Sequence, residues 1–373
     1  IRRPPRSTQS RSSAASDVYK RQVKDLQIFT DGGEYYVPRA TDNTITPANV
    51  AVLRQTPYGI SRTAPLLFDQ ASGFVQKNGK SIREFVYSDI EDGYKSTAVS
   101  ILAEHLIDSP KQIAVLKGNA TRPEQYAFFL NNGTTSPGTL AIFHSVRDEK
   151  IAGWGLWTTR TNDLFQSIIS LNEHLVVCVK RQLNSSTVYT LEKFADTDSI
   201  TLDMKLTSTL NQKGTPLVQG ASQSGASVII DGFSTAPVIN ESFTIAGNAT
   251  EYTIQAVTSN GGTSYTLNLD KVLAASPADN AAVTLTKGFL HNVNTIYRNE
   301  QVNCVEGNSS LGAFTVSGSD TITLTTPRAT GVHIGFNFIP ILETMPIDKE
   351  LAEGPVSYTH LRAHETLRYL VCR

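Results

Sequence analysis

At 373 residues, 40% hydrophobic and 18% charged, the chain is long enough for two or three domains and too apolar for a disordered polymer. Its 33 basic and 34 acidic residues leave a formal net charge of −1, which excludes a strongly basic nucleic-acid binder. No run of 18 or more apolar residues occurs, which excludes a membrane-spanning helix.

The two ends read differently from the body. Residues 1–22, IRRPPRSTQSRSSAASDVYKRQ, are basic and serine-rich, with no apolar stretch of the kind a secretory signal needs. Residues 356–373 read VSYTHLRAHETLRYLVCR. Both resemble translated sequencing-adapter read-through and are expected to be non-native tails. They hold nine of the 33 basic residues and two of the 34 acidic ones, so the stretch between them carries a net charge of −8. An acidic body does not displace phosphate counterions, although it could line a channel that DNA slides through.

From residue 23 to about 207 the chain reads as a β domain. The stretch 74–107, FVQKNGKSIREFVYSDIEDGYKSTAVSILAEHLI, joins a strand, a polar turn and an expected helix over 96–107. Val99, Leu102, Ala103, Leu106 and Ile107 fall at helical spacing, Ser96 or Thr97 can cap the start, and Pro110 stops it. Residues 126–194 read as a four-stranded antiparallel unit with a Trp-bearing strand, the kind of sheet that propeller blades are made of. Further strands are expected at 175–182 and 188–194, and then at 227–233, 241–247, 251–258, 264–270, 282–288 and 320–326. Asn78-Gly79, Asn131-Asn132-Gly133, Asn260-Gly261-Gly262 and Ser317-Gly318 supply the turns between them. A Thr- and Ala-rich cluster at 218–288 has the size of an inserted small β-barrel, and 289–355 returns to a mixed pattern. A second short helix is expected at 271–275. The fold class is therefore all-β, with one or two short helices, propeller-like sheets and an inserted barrel.

Candidate chemistry fails on spacing. His105, His144, His174, His291 and His333 are not paired on any helix face or strand, and Glu104-His105 reads as one solvated and one half-buried side chain. His360 and His364 have zinc spacing but lie in the read-through tail. The acidic loop Asp89–Gly93 places Gly at its fifth position and Ser100 at its twelfth, whereas a calcium loop needs Gly at the sixth and Glu at the twelfth. A solvated turn is favoured. Gly220-Ala221-Ser222-Gln223-Ser224-Gly225 misses a nucleophile elbow by one position. The carboxylate pairs Glu91/Asp92 and Asp196/Asp198 lie in polar turns. Strand alternation puts Trp154 and Trp157 on opposite faces, so core packing is favoured over a sugar platform. Cys178, Cys304 and Cys372 give neither a disulfide framework nor metal spacing, and a reducing place of assembly is the simplest reading. No catalytic, cofactor-binding or metal residue is expected.

Three blocks in order carry a family resemblance. The first runs through Arg83-Glu84-Phe85-Val86-Tyr87, Asp92-Gly93-Tyr94 and Leu102-Ala103-Glu104-His105-Leu106. The second holds Trp154, Thr158-Thr159, Leu175-Val176-Val177, Lys180-Arg181, Tyr189 and Leu191-Glu192. The third is IGFNFIPILETMP at 334–346, ending in Met345-Pro346. Together they resemble the tail tube or nozzle proteins (tail tubular protein B, stabilisation proteins) of short-tailed phages. The resemblance covers roughly 55–350 and implies a propeller-type fold interrupted by a barrel. It implies a homo-oligomeric ring, six-membered, on the adaptor and portal side of the tail and in contact with other tail proteins such as fibres. Its implied role is structural: sealing the tail and then conducting DNA in the virion, after assembly in the host cytoplasm. Family members run longer at both ends, so the chain is expected to be a fragment. Glu104, His105 and Asp92 are expected to hold the 74–107 joint together. The insert is of a type matched to the catalytic-cysteine half-domain of ubiquitin-activating enzymes, but it holds no cysteine and so no nucleophile. The alternative is a phage or bacterial surface β-protein that binds or cleaves glycans, which would place two carboxylates about 5–9.5 Å apart in a groove.

Overall fold

The computed structural model describes residues 19–22 (backbone alone), 25–38, 45–47, 50–68, 71–118, 124–146, 151–194 and 202–341. Most of residues 1–22 and all of 356–373 lie outside these residues, as do Asp196, Asp198, Met345 and Pro346, and with the C-terminal stretch His360, His364 and Cys372. The chain divides into two compact units, Ile1–Ile200 and Thr201–Arg373. No helix among the described residues is long and apolar enough to cross a membrane.

The first unit is a series of antiparallel meanders. Sheet one is β1 (Tyr19–Gln22), β2 (Leu26–Thr30), β3 (Gly33–Val37) and β4 (Leu53–Thr56). Sheet two is β5 (Leu66–Phe68), β6 (Ala71–Val75), β7 (Ile82–Ser88) and β8 (Gly93–Ala98). Sheet three is β9 (Gln112–Leu116), β10 (Gln125–Leu130), β11 (Leu140–Val146) and β12 (Ile151–Trp157). Sheet four is β13 (Leu164–Leu171), β14 (His174–Leu183) and β15 (Ser186–Lys193).

Each sheet packs on the next. Phe29 of sheet one meets Phe74, Phe85 and Tyr94 of sheet two. Phe68, Val75 and Ile82 of sheet two meet Ala127, Phe129, Ala141 and Phe143 of sheet three. Phe128, Leu130, Leu140 and Ile142 of sheet three meet Phe165, Ile168, Leu175 and Val177 of sheet four. Adjacent residues therefore serve opposite interfaces, as Phe128 and Phe129 do. That is why QYAFFL and LAIF read as unbroken apolar runs rather than alternating ones. Each buried Phe contributes about 1.5–3 kcal/mol. β5 lies against β9 and β9 against β13, so the leading strands converge.

The structure corrects two expectations here. Residues 96–107 are not a helix: Ser96, Thr97 and Ala98 pair with Phe85, Glu84 and Arg83 at the end of β8, and only Glu104–Leu106 forms a 3-10 turn. A twelve-residue helix needs its apolar stripe buried, yet Leu102 is 88% exposed. The Ser100 hydroxyl instead accepts the Ile82 amide at 2.8 Å and commits the backbone to a turn. Nor is 126–194 one sheet. β10 to β12 share a sheet with β9, which pairs with β10, and β13 to β15 form a sheet of their own.

The second unit contains β16 (Asp203–Thr207), β17 (Thr209–Leu210), β18 (Gly214–Val218), β19 (Ser227–Phe233), β20 (Ser242–Ile245), β21 (Asn248–Gly261), β22 (Ser264–Leu269), β23 (Val283–Asn292), β24 (Gln301–Glu306), β25 (Ser309–Thr315), β26 (Thr321–Arg328) and β27 (His333–Phe336). Sheet five has the order β16-β27-β24-β25, so residues 203–207 group with the later strands rather than with the region before them. Between β16 and β24 the chain builds a larger sheet, β17-β23-β20-β21-β22-β19-β18, with β26 also on β23. This sheet curls until Leu217 bridges Ala282, and Val218, Ile230, Phe243, Tyr252 and Leu267 fill it. It is the inserted barrel-like element. Gly261 and Gly262 take φ of 98° and 60° at the β21–β22 turn, a conformation that favours glycine. No helix forms at 271–275; a 3-10 turn at Thr295–Tyr297 appears instead, with the Asn294 side chain capping Ile296 N at 3.0 Å.

Candidate functional site

The residues of the first block, 83–94, build an interface rather than a cleft. Phe85 and Tyr94 stack at 4.9 Å, and Phe29 of sheet one meets Phe85 edge-on at 5.4 Å. Tyr87 packs edge-on against Tyr94 at 5.3 Å. Its hydroxyl donates to Asp92 at 2.5 Å, and that bond pushes the phenol up to about 12. Gly93 gives Gln55 room: a Cβ there would stand 2.7 Å from Gln55 Oε1, which accepts the Tyr94 amide at 2.8 Å. Arg83 lies over the Tyr58 ring, 3.3 Å from its centroid. Two further bonds cross between the sheets, from Ser72 to Gln27 at 2.5 Å and from Tyr94 to Asp25 at 3.1 Å.

Residues outside the motif close the joint between sheets two and three. Asp108, between the 3-10 turn and β9, is buried. One carboxylate oxygen accepts Lys80 Nζ at 2.6 Å, and the other accepts the Thr135 and Ser136 amides, each at 2.8 Å. The Asp108 carbonyl takes the Gly133 amide at 2.8 Å. Lys80 and these bonds hold the carboxyl below its usual range, the Lys80 bond foremost. Buried Asn131 bonds Asp108 N at 2.9 Å, Leu106 O at 2.9 Å and Thr139 Oγ1 at 3.0 Å. Glu104 and His105 are both exposed, and Asp92 bonds within its own hairpin, so the joint is fastened by other residues than expected. Glu84 faces a cavity of about 10 Å³ with Phe68, Val99, Phe129 and Phe143, room for a single water.

In the second block Trp154 and Trp157 part as alternation requires. Trp154 packs on Phe143 at 4.8 Å and donates its indole N–H to Val99 O at 2.9 Å, facing sheet two. Trp157 stacks on Phe194 at 4.8 Å, toward sheet four. Arg181 is fully buried, forks onto Glu192 at 2.7 and 2.6 Å, and reaches Asp163 at 3.1 Å. Its sequence signal was parity: it shares the buried face of β14 with Val177 and Val179, where a cation demands carboxylates. In the second unit Lys213 and Glu241, both buried, pair at 2.7 Å. Burial pushes the Cys304 thiol up to about 12. The acidic loop at 89–93 is the exposed β7–β8 turn, with Ile90 98% exposed. The Gly220–Gly225 segment is a loop between two strands. Among the described residues no group of three His, Cys, Asp or Glu side chains is placed to hold a metal ion. These ionic clusters are braces between strands and loops.

No protein-family model matches the chain, and no curated protein matches it.

Proposed function

We propose that the protein is a structural subunit of a phage tail tube or nozzle, one that seals the tail and then conducts DNA. One observation carries the reading. The Arg83-to-Tyr94 block, which resembles that family, forms the aromatic seam between two stacked meanders, and a barrel-like sheet follows later in the chain. Residues that brace sheets suit an assembly subunit better than a catalyst. Met345-Pro346 belong to the resemblance by sequence alone. The body charge of −8 suits a wall that DNA passes without sticking, and no sequence-specific contact with DNA is part of the role.

The reading calls for homo-oligomeric rings of about six subunits, meeting adaptor, portal and fibre proteins in the virion. Electron microscopy of the expressed full chain tests this, with mass photometry over a concentration series. Closed rings are the expected result. Monomers at every concentration, together with retention of the chain on a glycan array, would replace it with the glycan-binding alternative. Trp154 and Trp157 serve different interfaces and do not form a shared stacking platform, so the aromatic residues give that alternative no support.

A further inference from the structure

Sheet four packs on sheet three through one face and leaves its other face open. Val177 and Val179 of β14 point inward, so Val176, Cys178 and Lys180 point out. Strand register sets Ile169 and Lys193 beside Val176, Leu191 beside Cys178, and Tyr189 beside Lys180. Leu191 is 80% exposed, and Ile169 and Tyr189 are each more than half exposed. The Cys178–Leu191 pair lies between the pairs that hold Lys180 and Lys193, so Leu191 stands between two lysines on apolar ground. Among the described residues no carboxylate shares this face: Glu192 turns inward to Arg181, and Glu173 lies in the β13–β14 turn at its end. Neither lysine has an ion-pair partner among the described residues. A basic, apolar face on a body with a net charge of −8 calls for an acidic partner with an apolar tip.

The β7–β8 turn has that make-up. Ile90 is 98% exposed, between Asp89 and Glu91, which are both exposed as well. Glu91 holds Lys95 at 3.2 Å, an exposed pair that a second partner can replace at little cost. The base of the turn is fixed: the Tyr87 hydroxyl donates to Asp92 at 2.5 Å, and Tyr87 packs edge-on against buried Tyr94. Little conformational freedom is lost when so fixed a turn is gripped. Acid, isoleucine and acid in the turn answer lysine, leucine and lysine on the face.

We propose that the β7–β8 turn of one copy of the chain seats on the outer face of sheet four of the next copy. Ile90 lies on Leu191 and Ile169, and Asp89 and Glu91 meet Lys180 and Lys193. Within one copy, sheet three and the body of sheet four stand between the turn and this face, so the contact joins two copies. The two surfaces differ, so the contact is head-to-tail and repeats from copy to copy, the kind of interface that closes rings. The inference rests on the proposed ring for that closure, and it names the surfaces through which neighbouring subunits meet.

Charge-swapped variants of the full chain test the contact, with association read by mass photometry over a concentration series. The swapped side chains lie at the surface, so the fold is kept, and circular dichroism checks that. Wild-type association should weaken with added salt. Lys180→Glu with Lys193→Glu, and separately Asp89→Lys with Glu91→Lys, should each weaken it by about tenfold or more. Mixing the two variants should restore it, because every contact between them then sets an acid against a base. Ile90→Ser should weaken association by about tenfold with no change in charge. Oligomers indifferent to both swaps would overturn the contact and leave the ring standing. Weakening in both variants without rescue on mixing would also overturn it, since another acidic partner would then hold the lysines. Monomers at every concentration would remove ring and contact together. Rescue on mixing in open chains that never close would keep the contact and remove the ring.

Discussion

Lys80 Nζ stands 2.6 Å from Asp108, yet the two residues are unequal partners: the Lys80 side chain is 48% exposed and that of Asp108 only 7%. The carboxylate ties two amides of the β10–β11 loop to the turn before β9, and Lys80 merely completes it. Asp108→Ala should therefore cost about 2–4 kcal/mol, because it leaves buried amides unpaired. Lys80→Ala should cost less than about 1 kcal/mol, as exposed ion pairs do. Urea unfolding of the two variants checks the contrast, and equal losses would refute it. The depressed Asp108 carboxyl contributes stability above its usual value of 3.8, and that contribution is lost as pH falls through the lower folded value.

Among the described residues Arg181 is the one guanidinium with no exposed surface, and it faces two carboxylates, Asp163 and Glu192. Removing it leaves both acids close together on the buried side of sheet four. Arg181→Ala should lower stability by about 3–5 kcal/mol. Arg181→Lys should recover little, because an ammonium cannot span the fork onto Glu192. Thermal melts of the two variants, set beside Arg181→Met with Asp163→Asn and Glu192→Gln, measure this. If the triple neutral variant is no more stable than Arg181→Ala, unpaired charge is not the cause.

The two tryptophans offer a probe of the sheet stack. Trp154 is pinned by Val99 O and packed on Phe129 and Phe143, while Trp157 is 41% exposed. With Trp157→Phe, the remaining emission should be blue-shifted and resist acrylamide. With Trp154→Phe it should be red-shifted and quench readily, at a cost of about 1–2 kcal/mol for the lost bond and packing. Similar quenching constants would place both rings in one environment, contrary to the fold.

Strand identity was legible because alternation and turn chemistry are local. The expected strand 227–233 matches β19 residue for residue. What failed was grouping and the two expected helices, 96–107 and 271–275. Sheet membership depends on which hairpins pair, so β9, with its modest QIAVL signal, was left out of the sheet that 126–157 completes. The 96–107 stripe fits a helix by spacing, but the Ile82 amide bonds the Ser100 hydroxyl and the Trp154 indole bonds Val99 O, both from other elements, a long-range preference that a window of sequence does not contain. The same limit hid Asp108, whose partners lie 27 and 28 residues away. The motif residues 83–94 were legible as a block but not as a seam, since Phe29 and Gln55 arrive from another sheet.

Glu34 gives the pH test for the first unit. It is fully buried on β3, and one oxygen accepts the Thr56 hydroxyl and, at 3.4 Å, the Tyr58 amide. Burial raises its pKa above the usual 4.5, opposed by those bonds and by the charge of Arg83. A raised carboxyl means that the folded state holds the proton more tightly than the unfolded one. Its contribution is present at low pH and is lost as pH rises from 4.5 through the folded value. Glu34→Gln keeps an acceptor for Thr56 and cannot ionise. It should raise the urea midpoint at pH 7, by at most about 1 kcal/mol because the amide places a donor where the second oxygen stood. Below the usual carboxylate range the variant and the wild type should converge. A wild type more stable than Glu34→Gln at pH 7 by as much as at pH 4 would mean that Glu34 sits ionised without penalty, and that burial at the sheet one–sheet two seam costs it nothing.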